Sequence, residues 1–510
     1  MIRVSSNSAE VSLYDDADII KDTHMHSTAS ENSHNGHRDT GGSHVIEYRG
    51  KGSTLGASFN FVNSIVGAGI IGMPAALKDC GLVMGVLLIL GIALLIDRSV
   101  IMLVECGIGA KKTNLEELVL HLFGKIGSNT CLLFMFLYAY GAMISYITVV
   151  GDTIPMALDY FLGEDSPSKT VVTLITASVL ILPLCMFRDV RKLSYTSMLS
   201  LLADGIMIIF VCSVGGASAK NQGTSFSYPD DITVVSPNVF AGIGILSFAF
   251  VCQHNTFIVY KSMRNRNLQN WTSVSHLSLS VASVMCLTLG LAGYLSFGSN
   301  VQGDILNNFS TDDRLMIGAR LLLALTMIFT YPMEMVVARH TVLAFYHGIV
   351  DPPLAAGDAE APLLGSGSAD GSINSGRNSV LTRSSMADSE RPPHQPELLN
   401  HFLITLALWT PSVVIALLVS DVRITLELTG ALAASFLGYI LPAAVYFKFY
   451  NNDWDVAIAK FDSNSVVFES NVFTRIGGLA KFVVPALMML FGFLAMFVGV
   501  GSVIYELISN

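Results

Sequence analysis

The chain has 510 residues, of which 52% are hydrophobic and only 13% charged, with mean hydropathy +0.57. Soluble domains carry about 25% charged residues, so the composition excludes an ordinary soluble protein and points to a polytopic membrane protein. The net charge of −10 is not gathered in a patch, so it argues for no nucleic-acid partner and bears instead on loop orientation.

Residues 1–50 are rich in Ser, Asp and His and read as a disordered cytosolic tail. His24, His26, His34, His37 and His44 are irregularly spaced and lack cysteine partners, so this tract reads as solvated chain rather than a metal site. No cleavable signal peptide is visible, and insertion falls to internal helices. Eleven apolar segments follow, each near the ~20 residues that a bilayer requires: 54–76, 82–106, 128–150, 170–187, 194–216, 237–260, 272–297, 315–347, 399–420, 424–448 and 477–507. Lys111, Lys112, Arg188, Arg191, Lys192, Lys261, Arg264 and Arg266 all fall in loops on the tail's side, which puts the N-terminus in the cytosol. The seven cysteines lie in or beside apolar runs with no CxxC, and make neither a metal nor a disulfide framework.

The Ser- and Gly-rich loop 351–398 reads as cytosolic and disordered. Within it, Leu363-Leu364 behind Asp358 and Glu360 is similar to an acidic dileucine signal, a pointer to an endolysosomal or vacuolar membrane. Asn308 opens Asn-Phe-Ser, a glycosylation sequon in an expected outside loop.

The first span carries FVNSIVGAGIIGMP, with Gly67, Gly69, Gly72 and Pro74 close together. Glycine weakens a helix by roughly 1 kcal/mol and proline by roughly 3, so the helix is expected to break inside the bilayer. Lipid cannot satisfy the freed N–H and C=O groups, and a substrate or ion can. Close helix packing through small residues is the competing explanation. The sixth span, FAGIGILSFAFVCQHNTFIVY, is unusual in the same way: Gly242 and Gly244 precede Ser247, and Gln253, His254 and Asn255 follow. Five spans per repeat make a second copy enter from the opposite side, so spans one and six are expected to be the matched broken helices of an inverted repeat. The repeats are 51–216 and 237–448, joined by loop 217–236, with loop 449–476 and a last helix over 477–510.

Half-helix N-termini suit a carboxylate, and unwound carbonyls suit a cation or an ammonium group. Gly67, Ala68 and Gly69 are therefore expected to bind the carboxylate of a zwitterionic amino acid. Backbone around Ser247, Phe248 and Ala249 is expected to accept from its amine. Tyr140, near the middle of the third span, is a further candidate for substrate contact or for packing. Thr326 and Thr330 share a helix face. With Asn63 and the carbonyls near Val66 they offer oxygen ligands of the kind Na⁺ requires, against the alternative that each Thr bonds its own helix turn. Asp97 with Arg98, and Glu334 with Arg339, read as pairing or snorkelling charges near the inner face. His254 is the one group within the sixth span able to change charge near neutral pH, as a proton relay or as a hydrogen-bonded structural histidine.

VNSIVGAGIIGMP, MISYITVVGDTIP (143–155), GILSFAFVCQHNTFIVY (244–260), FTYPMEM (329–335) and LELTGALAA (426–434) together resemble the sodium-coupled neutral amino acid transporters of the amino acid/auxin permease group. The likeness is greatest to the branch numbered eleven and extends to fungal vacuolar relatives. The resemblance implies an all-α fold of eleven spans, a five-plus-five inverted repeat of the bacterial leucine transporter type, and alternating access around broken helices one and six. It also implies sodium near Asn63 and Thr330.

The expected function is secondary transport of neutral amino acids through the bilayer, driven by Na⁺, with no cofactor and no enzymatic step. A proton-coupled vacuolar or lysosomal carrier and an amino acid sensor are the alternatives. No Ser–His–Asp order, HExxH motif or paired carboxylates at membrane depth suggest catalysis.

Overall fold

A computed structural model describes residues 53–163, 166–186, 194–223, 233–350, 395–419, 421–450 and 472–509. They belong to the unit Arg49–Asn510. The tail 1–50, its histidines, the dileucine, almost all of loop 351–398 and most of loop 449–476 lie outside the described residues.

Every described element is helical. α1 (Thr54–Val66) starts where the Ser53 side chain accepts from the Gly56 N–H at 3.1 Å, which satisfies one of the free first-turn donors. It stops at Gly67, whose φ of 27° and ψ of −151° no helix contains. Ala68–Gly72 forms a 3₁₀ turn, and α2 (Met73–Cys80) resumes with Pro74 in its first turn, where the missing N–H costs nothing. The two halves are bent by 48°. α3 (Leu82–Gly109) and α4 (Leu115–Leu162) follow, α4 being divided at Gly124, where φ is 69°. α5 (Lys169–Cys185) contains a π turn, Ala177–Ile181, just before Pro183, which removes a helical donor.

α6 (Ser194–Gln222), α7 (Val239–Phe250), α8 (Gln253–Ser262), α9 (Leu268–Phe297) and α10 (Arg314–Val350) come next. α11 (Gln395–Leu418), α12 (Val422–Phe449) and α13 (Val472–Ser509) complete the described chain.

Among the described residues nine helices are long and apolar enough to cross a membrane, or ten when the bent pair α1–α2 counts as one. α5, the fourth of the expected spans, is a shorter apolar helix. The α7–α8 span is 94% buried over its apolar window and α11 only 22%, so α7–α8 runs through the centre and α11 along the rim. Leu87, Leu94, Ile209, Leu490 and Phe497 are exposed, as lipid-facing positions should be.

The second interruption does not follow Gly244, as the glycines suggest. α7 runs on to Phe250 and breaks at Val251 and Cys252. Gly242 and Gly244 serve close packing instead: a Cβ on Gly244 would lie 2.7 Å from the Glu427 carbonyl oxygen, and one on Gly242 2.4 Å from Cys80 Sγ. The break falls where a polar triplet, Gln253-His254-Asn255, supplies its own hydrogen bonds.

Candidate functional site: two interrupted helices in contact

The breaks meet. A Cβ on Gly69 would stand 2.4 Å from Ala249 Cβ, and one on Gly72 2.9 Å from Ile245 Cγ2. The 3₁₀ segment of the first broken helix therefore lies against the last turns of α7. Gly67 adopts a backbone that L side chains rarely reach, and its position for a Cβ is 3.2 Å from the Tyr146 hydroxyl. The first N–H groups of the 3₁₀ turn have no partner within it, and neither do the last carbonyls of α1. Gly67, Ala68 and Gly69 thus lie together where a donor set and an acceptor set face one buried region.

Tyr138 caps the second break, its hydroxyl bridging the carbonyl oxygens of Phe248 at 3.0 Å and Val251 at 3.1 Å. The Ser247 carbonyl already accepts from the Val251 N–H at 3.2 Å. Ser247 Oγ lies 3.1 Å from Tyr439 Oη on α12. Ala249 is the residue that packs on Gly69. Beyond the break, Gln253 Oε1 accepts from the Cys252 N–H at 3.0 Å and its Nε2 donates to Ser99 at 2.9 Å. Asn255 Nδ2 donates to Ser64 Oγ at 2.6 Å, tying α8 to the last turn of α1. His254, with no exposed side-chain surface, places Nε2 3.5 Å from Glu334 Oε1.

Tyr140 is not at this centre. Its hydroxyl donates to the Leu408 carbonyl on α11 at 3.3 Å and its ring stacks on Phe136. Tyr138 and Tyr146, two turns apart on the opposite face of α4, occupy the place that Tyr140 was expected to hold. The helical period carried that signal: Gly141, Ser145 and Tyr146 line the buried face that begins at Tyr138.

Of the expected cation ligands, Asn63, Val66, Thr326 and Thr330 are all buried. Thr326 donates to Leu322 O at 3.2 Å and Thr330 to Thr326 O at 2.8 Å, so each hydroxyl hydrogen is spent within α10 while its oxygen lone pairs remain. α6 packs against both α1 and α10 and bridges the two halves of this set. It carries Asp204, 2% exposed, beside Thr326 and with Oδ1 unpartnered. Reasoning on the sequence passed over Asp204, although a single acid inside the apolar run 194–216 is itself a signal.

Asp97 pairs with Ser275 at 2.7 Å and His276 at 2.9 Å on α9 rather than with Arg98, and Arg339 donates to Thr405 at 2.7 Å. Asn308 is buried; its Nδ2 donates to Asn300 O at 2.9 Å and its Oδ1 accepts from Gln302 N at the same distance. A glycan on that nitrogen would have to displace the first bond.

At one end of the bundle Arg423 on α12 gathers three acids: Asp79 of α2 at 3.3 Å, Glu427 one turn along, and Glu506 of α13 at 3.6 Å. Lys78 donates to Val301 O at 3.1 Å at the same end. The outer half of the first broken helix is thus fastened by ions to α12 and to the 298–313 loop. In that loop burial pushes the Asp304 carboxyl up to about 7, with Asp152 adding to the rise and the Leu306 N–H and Arg320 opposing it.

Three relatives share most or much of this chain. Sodium-coupled neutral amino acid transporter 11 of Danio rerio is 30% identical over 446 residues, 86% of this chain and 88% of the relative. The Bos taurus protein of the same name is 28% identical over 420 residues, 81% and 80% of the two chains. Vacuolar amino acid transporter 2 of Saccharomyces cerevisiae is 30% identical over 311 residues, 59% and 64%. Among solved structures a manganese transporter of Eremococcus coleocola superposes with TM-score 0.48 at 11% identity, over 89% of this chain and 92% of that one. The sequence profile of the transmembrane amino acid transporter proteins matches residues 50–504. That match takes in both interrupted helices and runs into the last described span, and this chain belongs to the transmembrane amino acid transporter family.

Proposed function

We propose that the protein is a secondary active transporter that moves neutral amino acids across a membrane by alternating access, with a cation symported. The observation that carries this reading is the contact of the two interrupted helices at Gly69 and Ala249. There, unpaired N–H groups of the 3₁₀ turn suit a carboxylate and end-of-helix carbonyls suit an ammonium group. Gly67, Ala68 and Gly69 bind the carboxylate. The last α7 turn, Ser247, Phe248 and Ala249, faces the amine; the Ser247 and Phe248 carbonyls, which already accept from the Val251 N–H and the Tyr138 hydroxyl, offer it their second lone pairs. Spans one and six hold the breaks, which fits a five-plus-five inverted repeat of eleven spans with α5 as the fourth.

Sodium is the first reading of the coupling ion. Asn63, the Val66 carbonyl, Thr326 and Thr330 are its ligands, and Asp204 supplies the negative charge that this oxygen set otherwise lacks. The names of the relatives from zebrafish and cattle accord with it. A proton is the second reading, favoured by the buried His254–Glu334 pair, and accords with a vacuolar or lysosomal membrane. The N-terminus lies in the cytosol in both. Uptake of labelled alanine, leucine and glutamine into proteoliposomes under an imposed Na⁺ or H⁺ gradient tests the proposal. Accumulation under one gradient supports that ion; binding without flux under either supports a sensor.

A further inference from the structure

His254, in the first turn past the second break, meets Glu334 of α10 at 3.5 Å with the His side chain wholly buried. Two atoms of this pair have no hydrogen-bond partner, His254 Nδ1 and Glu334 Oε2. Asn255 Nδ2 lies 2.8 Å from His254 Nε2. An amide NH₂ only donates, so with this amide orientation Nε2 spends its single lone pair on Asn255 and carries no proton toward Glu334. Ring nitrogen and carboxylate oxygen then meet at 3.5 Å as two acceptors with no hydrogen between them, in a site without water-like dielectric. One added proton, on Nε2 or on Oε1, turns that repulsion into a hydrogen bond.

Asn255 connects this proton to the first broken helix. Its Nδ2 donates both to His254 Nε2 and to Ser64 Oγ. When Nε2 carries a proton the amide NH₂ can no longer donate to it and has to rotate; its Oδ1 then faces the Nε2–H that is shared with Glu334 Oε1, and accepts from the Ser64 hydroxyl. The hydrogen bond at Ser64 reverses direction with the proton. Ser64 stands in the last turn of α1, next to the unwound segment at Gly67. The Tyr138 ring, 4.8 Å from the imidazole, belongs to the residue that caps the second break. Both breaks thus border the same site.

The surrounding groups do not compete for the role. Tyr138 and Tyr146 approach from α4 and Tyr439 from α12, all phenols. Cys252 is a thiol at the break itself. Asp97 on α3 is held by Ser275 and His276. α1 has no titratable side chain. On α10 and its neighbours, Arg339 is engaged by Thr405, the Cys185 carbonyl and His401, and Asp204 on α6 lies toward Thr326.

We propose that His254 and Glu334 form a proton-binding site that holds one proton between Nε2 and Oε1 in one half of the transport cycle and releases it in the other. The proton enters from the aqueous side to which the site is open and leaves on the opposite side. This rests on the transporter reading above.

The test uses the full chain in proteoliposomes loaded with a pH-sensitive dye, with Na⁺ equal on both sides and alanine, leucine and glutamine as probes. Uptake by the wild type should acidify the lumen, and Glu334→Gln should cut that acidification at least threefold per amino acid moved. Uptake by the wild type without acidification overturns the proposal. A second measurement stands apart from transport: the melting temperature of purified protein as a function of pH. The difference between the wild-type and Glu334→Gln profiles should change with pH, and parallel profiles overturn the site. If no probe is taken up, the transport reading fails and the melting profiles alone decide the proton site. Where Glu334→Gln does not fold, His254→Gln takes its place in both arms.

Discussion

Gly69 and Ala249 touch backbone to backbone: a Cβ on Gly69 would fall 2.5 Å from the Ala249 Cα as well as 2.4 Å from its Cβ. No rotamer change relieves a contact with a Cα. Gly69→Val should therefore push the two broken helices apart, abolish uptake and lower stability by about 1–3 kcal/mol, the usual cost of overpacking. Ala249→Gly in the same chain should not restore uptake, because the Cα clash remains. Uptake assays with thermal melts on both variants check this.

Tyr138 holds the second break by one hydroxyl shared between Phe248 O and Val251 O. Tyr138→Phe leaves both carbonyls unpaired in a buried region, a loss of about 1–3 kcal/mol. The ring still fills its place beside Phe248, so the fold should persist while uptake falls severalfold. Melting curves and initial rates separate the two effects.

Asp204 is a buried carboxylate with an unpartnered oxygen beside Thr326. In the absence of a bound cation, Asp204→Asn removes a costly charge and should leave stability unchanged or raise it. With Na⁺ as the coupling ion, Asp204→Asn should raise the Na⁺ concentration for half-maximal uptake at least tenfold, and Thr330→Ala should raise it less. Na⁺ titrations of uptake measure both.

Asp304 lies in the 298–313 loop, with Oδ2 lacking a partner and its carboxyl raised from 3.8 to about 7 by burial. The folded loop binds the proton more tightly than the unfolded chain. This stabilisation is complete below the ordinary carboxylate value and is lost as pH rises through about 7. Melting temperature should fall between about pH 4 and 7, and Asp304→Asn should flatten that fall. An acidic compartment facing this loop would keep it in its most stable form.

The first broken helix was legible because Gly67, Gly69 and Pro74 act on their own backbone, and backbone preference is local. The second was legible as a span but not as a position. Gly242 and Gly244 look the same in the sequence whether they unwind a helix or let a neighbour approach it, and only the partners, Cys80 on α2 for Gly242 and Glu427 and Gly430 on α12 for Gly244, distinguish the two. The same limit governed the tyrosines. Tyr140 and Tyr138 are equivalent in type, and which one meets a broken helix depends on the rotation of α4 against α7. Asp204 needed no partner to be noticed, since one acid in an apolar run is conspicuous, but its meeting with Thr326 depends on long-range packing. His254 is legible in the sequence as a relay or as a structural residue, and Glu334, far along the chain, is the acid that packing sets beside it.

The central claim is that unwinding at Gly67 builds the amino acid site. Gly67→Val places a β-branched residue at φ 27° with its Cβ 3.2 Å from the Tyr146 hydroxyl. The direct measurement is accumulation of labelled neutral amino acid above equilibrium in proteoliposomes under a cation gradient, for the wild type and for Gly67→Val matched by gel filtration. The account predicts accumulation by the wild type and none by a Gly67→Val protein that is folded and monodisperse. Equal accumulation by the two proteins would contradict it.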